Sequence, residues 1–211
     1  MSATAAVTQE TRQARLWRRI LTFALLLIGT MLVVPAPARA DGLMDLLKKP
    51  GHVAFMRHAW APFEGAPKSE GVSAETLGPC ETQRNLDEKG RSDARRLGEL
   101  FRRAGVVFEH VYTSKWCRCR ETAELIMGRP VENLTLINSY YTNPDKSVGP
   151  IQQAALKRYI SESIPLAARA LMVTHGSLIT DLTGIDTDET EIVVIKADGK
   201  GGVDVVGRGV L

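Results

Sequence analysis

Metal-ligand spacing is missing from this chain. Its four histidines are scattered, and its three cysteines offer one close pair, Cys117 and Cys119, with no second pair to complete a tetrahedral set. No metal and no other cofactor is therefore expected. Cysteine is also too scarce for a disulfide framework: Cys80, Cys117 and Cys119 allow at most one intrachain bridge and leave one thiol over. Cys80 bonded to either of the other two is the pairing to test, against three small buried hydrophobes. No internal repeat and no linker interrupts the sequence, so a solenoid or a string of domains is excluded. Nor is there a nucleic-acid footprint. Of the overall charge of +3, residues 1–40 carry +4, with five arginines against Glu10, which leaves −1 for residues 41–211. The apolar run at 20–34 is short for a membrane span, which needs ~20 residues.

What that first segment does contain is a basic start, a short apolar centre and the end PAPARA, with small residues at Ala38 and Ala40. Those are the three parts of a secretory signal peptide, cut here after Ala40; an uncleaved anchor is the alternative. Arg18-Arg19 hints at twin-arginine export. The expected location is periplasmic or secreted, with membrane attachment only through an uncleaved leader, and an oxidising compartment permits the disulfide. Residues 41–211 remain as one domain, 44% hydrophobic and 24% charged for the whole chain, as soluble globular proteins are.

Within it, three apolar stretches read as buried strands: 52–57, a second ending in VYTS at Ser114, and 170–174. Helical spacing intervenes, with Asp87 as a plausible N-cap and Ala94, Leu97, Phe101 and Ala104 recurring on one face. A helix is expected over 116–127, a short edge strand over 134–137, a helix over 151–164 and another from Ser177. A glycine-turned hairpin over 191–206 closes the chain. Residues 60–82 and 138–149 read as polar loops. Strands alternating with helices predict an α/β protein, a sandwich around a mostly parallel sheet.

The strands end alike. The first runs into Arg57-His58, the second into Ser114 with Arg118 beyond it, the third into Thr174-His175. Ligands of open α/β sheets bind outside the carboxyl ends of the strands. If the three are parallel neighbours, two guanidinium and two imidazole groups share one pocket, with no cluster of acids nearby in sequence to compensate them. A phosphoryl group suits that pocket, because the guanidinium fork donates paired hydrogen bonds to its oxygens. Neighbouring cations keep an imidazole neutral, and a neutral ring nitrogen can attack phosphorus. Such chemistry requires no metal.

The stretches RHA at 57–59, SKWCRCRETA at 114–123 and THG at 174–176 resemble the histidine phosphatase superfamily, in its phosphoglycerate-mutase-like branch. That pattern is Arg-His-Gly/Ala, then Ser-x-x-x-Arg-x-x-x-Thr-Ala, then a late Ser/Thr-His-Gly. TQRNLDEKG at 82–90 is similar to the family's Leu-Thr-x-x-Gly helix start, and PCETQRNL with KWCRC resembles exported or membrane-linked bacterial members. The resemblance implies a three-layer α/β/α fold, His58 as nucleophile, and Arg57, Arg118 and His175 around the phosphate, with Asn85 among the substrate-binding residues. It implies a phosphatase acting on a phosphomonoester or phosphoramidate, on a small or cell-envelope substrate; mutase activity is not expected in a chain this short. One departure stands out. Relatives carry a glutamate proton donor where this chain reads Leu136-Ile137-Asn138-Ser139-Tyr140. Asp145 is the nearest acid, and Glu64 and Glu70 lie in the first loop. A phosphate-binding module without turnover is the alternative reading.

Overall fold

A computed structural model describes residues 40–65 and 74–211. The expected leader, apart from Ala40, and Glu70 lie outside the described residues. Helix α1 (Ala40–Leu47) precedes strand β1 (Val53–Arg57). Then come α2 (Glu88–Ala104), β2 (His110–Thr113), α3 (Cys117–Met127), the short β3 (Glu132–Asn133) and α4 (Val148–Glu162). Strand β4 (Ala170–Thr174), α5 (Gly176–Thr183) and the hairpin β5 (Ile192–Ala197) with β6 (Val203–Gly209) complete the order.

The strands form one six-stranded sheet in the order β3-β2-β4-β1-β5-β6. Strands β2, β4, β1 and β3 run parallel, while β5 lies antiparallel to β1 and β6 antiparallel to β5. The sheet is thus mostly parallel, as expected, although β1 has a parallel neighbour on one side only. The terminal hairpin supplies the other.

Alternation along the strands divides the core in two. Ala54 and Met56 of β1 face the layer of α1, α2 and α3, where Leu43, Leu97, Phe101, Ala123 and Ile126 are buried. Val53 and Phe55 face the layer of α4 and α5, with Leu156, Ile160, Leu178 and Ile179. This is the three-layer sandwich, and each large apolar side chain removed from water contributes about 1.5–3 kcal/mol.

The helices of the first layer sit close. Asp87 caps α2 by accepting from the Gly90 amide at 2.9 Å, and Gly105 ends it in the left-handed region at φ 69°. Gly98 is in the middle of that helix, where glycine costs about 1 kcal/mol against alanine. A Cβ there would strike the Ile126 carbonyl of α3, so the glycine sets how near the two helices approach.

One expected element is different. The edge strand predicted at 134–137 is only Glu132–Asn133, and Thr135–Ile137 form a single 3-10 turn. The turn carries Ile137 into the second core, fully buried, where its carbonyl accepts from the Thr174 hydroxyl at 2.6 Å. Continuing the strand would leave Ile137 along the sheet edge instead.

Candidate active site

Register brings the three strand ends to one level. Arg57 lies opposite Thr174, and Thr113 opposite Val173. The amides just past the ends continue the ladder: His58 donates to the Thr174 carbonyl at 3.0 Å and Ser114 to the Val173 carbonyl at 3.0 Å. Arg57, His58, Arg118 and His175 therefore line one cavity of about 630 Å³.

His58 is almost wholly buried. Its Nδ1 is 2.8 Å from the Ala59 carbonyl oxygen, which can only accept, so Nδ1 carries the proton. Nε2 keeps its lone pair and accepts from Arg118 Nε at 3.2 Å. The Ala59 amide is held by Thr122 Oγ1 at 3.1 Å, and that hydroxyl donates to the Arg118 carbonyl at 2.6 Å. The threonine four residues along α3 from Arg118 thus ties the loop of His58 to the helix of Arg118.

His175 sits beyond, with 5.8 Å between the two imidazole centroids. Its Nε2 lies 2.9 Å from Ser114 Oγ, and the ring of Trp116 meets it edge-on at 5.2 Å. Asn138 fixes this corner, its Oδ1 accepting from the Lys115 amide at 2.7 Å and from Ser114 Oγ at 3.4 Å. Where relatives were expected to carry the glutamate, this side chain braces the β2 end.

Arg57 is compensated by an acid that is not nearby in sequence. It donates to Glu189 Oε1 at 2.7 Å and to the Thr187 carbonyl at 2.5 Å. The acid comes from more than a hundred residues away in sequence, through the loop before β5, and only the fold reveals it. Thr190 in that loop has φ 62°, an uncommon conformation for a β-branched residue, and its amide bonds the Arg57 carbonyl.

Arg84 is a third cation of the site that sequence reasoning missed. It reaches within 3.5 Å of His58 Nε2, donates to the Ala61 carbonyl, and stacks on Phe63 at 4.1 Å from the ring centroid. The signal was its place in the stretch after Cys80. A disulfide joins Cys80 to Cys117, the first residue of α3, while Cys119 is buried outside that bond. Gln83 adds a second tie by accepting from the Cys117 amide at 2.9 Å.

Asn85, expected to bind substrate, does not line the cavity. Its amide donates to the Cys80 carbonyl at 2.6 Å, so it shapes the stretch that presents Arg84. The two described candidates for proton donor are also elsewhere. Glu64 is exposed and outside the lining. Asp145 faces a neighbouring cavity and accepts from the Ser147 amide and hydroxyl at 2.9 and 2.7 Å, which hold its carboxyl below the usual range. The carboxyl groups that do line the cavity are Asp181 and Asp186, near the end of α5 and just beyond it. Among the described residues, no group of three or more His, Cys, Asp or Glu side chains could hold a metal ion.

Burial, and then the charge of Arg118, push both His58 and His175 well below the ordinary histidine value. Both rings are neutral near pH 7. Lowered folded values make the unfolded chain the better proton binder once the pH falls below ~6.5, so stability rises with pH through that window and is lost on acidification. Acidification from ~pH 7.5 to ~5.5 is expected to lower the unfolding free energy, because the unfolded chain takes up protons that the two buried rings do not. Urea unfolding at the two pH values measures it. Equal free energies would show that the rings are not held neutral by the fold.

This is an α/β sandwich with a cationic, imidazole-floored pocket at the tips of its parallel strands. The branch-1 sequence model of the histidine phosphatase superfamily matches residues 53–137 of this chain. Solved structures share the fold. The protein histidine phosphatase SixA, complexed with tungstate, is 20% identical over 74% of this chain and 95% of its own, with a TM-score of 0.51. YhfR of Bacillus stearothermophilus is 18% identical over 76% and 97%, at a TM-score of 0.54. A mycobacterial glucosyl-3-phosphoglycerate phosphatase in complex with VO3 is 12% identical over 73% and 96%, at 0.52. No curated protein matches the chain.

Proposed function

We propose that this protein is a phosphatase that works through a covalent phosphohistidine on Nε2 of His58. The observation that carries the reading is the tautomer. With Nδ1 protonated against the Ala59 carbonyl, the lone pair of Nε2 lies at the cavity floor beside Arg118 and Arg84. A phosphomonoester or phosphoramidate would enter with its oxygens among Arg57, Arg84, Arg118 and His175. Nε2 forms a bond to phosphorus as the bond to the leaving oxygen or nitrogen breaks. The guanidinium groups stabilise the charge that spreads over the equatorial oxygens. The leaving group takes a proton at the cavity wall, where Asp186 is the carboxyl not engaged by Tyr140. Water then attacks phosphorus, the P–N bond breaks, and inorganic phosphate leaves with His58 neutral again. The tungstate complex of SixA, similar in fold, agrees with a site for a tetrahedral oxyanion.

We also propose that the domain works outside the cytoplasm, on a small or cell-envelope phosphate ester. The leader pattern supports this, as does a disulfide between Cys80 and Cys117, a bond that persists in oxidising compartments.

The test is a trap. Mixed with an aryl phosphate and quenched in alkali, the enzyme is expected to carry one phosphoryl group on the peptide containing His58, stable in alkali and lost in acid. Turnover with no such adduct would overturn the covalent route. Tight binding of vanadate without any release of phosphate would reduce the protein to a binding module.

A further inference from the structure

The cavity at His58 does not stand alone. A second one of about 810 Å³ lies beside it, and Tyr141 and Asp181 belong to the walls of both. A phosphoryl group and its cations need only the first. Volumes of roughly 300–1,000 Å³ are those of pockets that enclose whole organic ligands. A large leaving group is thus accommodated past Tyr141 and Asp181.

The lining says what kind of body fits. Lys146 and Lys157 supply ammonium donors, and Lys157 is half-buried with no carboxylate partner among the described residues. Asp145 and Asp181 supply carboxylate acceptors on the same walls. The signs offset one another, so a single anion gains little net attraction, and an apolar body would desolvate charged groups with no return. Tyr141 is 73% exposed and presents a flat apolar ring. The inner wall is preorganised. Buried Gln153 donates to Tyr140 Oη at 2.8 Å and to the Leu178 carbonyl at 3.2 Å, and Tyr140 in turn donates to Asp181 at 2.7 Å. That chain leaves Gln153 Oε1 as a buried acceptor without a partner.

Donors and acceptors of both signs, interleaved around an aromatic face, suit a ligand that is donor and acceptor at nearly every carbon and has C–H faces to stack. We infer that the second cavity is a subsite for the alcohol part of the substrate, and that this part is a polyhydroxylated body of more than one sugar-like ring. The inference rests on the first cavity being the phosphoryl site.

The experiment compares three phosphate esters on the full chain: maltose 6′-phosphate, glycerol 3-phosphate and octyl phosphate. Maltose 6′-phosphate is expected to show kcat/KM at least tenfold above the other two, with the gain in KM. Tyr141→Ala should shrink that preference below twofold, whereas Tyr141→Trp keeps it; the residue is exposed, so folding is not in question. Equal kcat/KM for the three esters, an equal gain with octyl phosphate, or a preference that survives both Tyr141→Ala and Lys157→Ala would overturn the subsite. If no ester is hydrolysed, the phosphatase reading fails by itself. Calorimetry on His58→Ala with the same esters then decides the subsite: a tenfold tighter Kd for maltose 6′-phosphate, lost with Tyr141→Ala, upholds it, and equal Kd values reject it.

Discussion

Replacing His58 by alanine is expected to cut kcat for an aryl phosphate by at least about a thousandfold, the scale on which loss of a covalent nucleophile is felt. The reasoning is geometric. Arg118 holds its Nε 3.2 Å from Nε2 of His58, so the lone pair and the cation that would stabilise the phosphoryl oxygens are aligned before any ligand arrives. His58→Gln, closer in volume, should be equally inactive while keeping the buried site filled. Both variants should still bind vanadate through the arginines. Wild-type rates in either would remove His58 from the chemistry.

Breaking the disulfide is expected to have the largest effect on stability. Cys80 and Cys117 are 37 residues apart, and a crosslink closing a loop of that length restrains the unfolded chain by about 3–4 kcal/mol. Urea unfolding with and without reductant measures this, and the double variant Cys80→Ser/Cys117→Ser should match the reduced protein and ignore reductant. The bond also joins the stretch carrying Arg84 to the helix carrying Arg118, so KM for small phosphate esters should rise in the same variant. Unchanged midpoints and KM would show that Gln83 and its neighbours hold the stretch without the crosslink.

The strand ends were legible because each carried its own marker: an apolar run that stops at a cation or an imidazole. Periodicity and caps likewise announced α2, where Asp87 and Gly105 stand at the two ends. What escaped was held by distance. Glu189 reaches Arg57 through a loop far along the chain, and nothing local marks it. Arg84 follows no strand and shares no periodic face; its role comes from where a crosslink holds its backbone. The acids of the cavity wall, Asp181 and Asp186, escaped because sequence proximity to the expected glutamate position favoured Asp145, which lines the neighbouring cavity and whose Oδ1 accepts both the amide and the hydroxyl of Ser147.

The contact between Arg57 and the loop before β5 has a temporal side. Strand β1 is made early in synthesis, yet it is flanked by strands that begin at Ala170 and Ile192, and its arginine is oriented by Thr187 and Glu189. A nascent chain that has emerged only as far as α4 holds His58 with neither flank in place. The pocket around His58 is thus incomplete until nearly the whole polypeptide has been made.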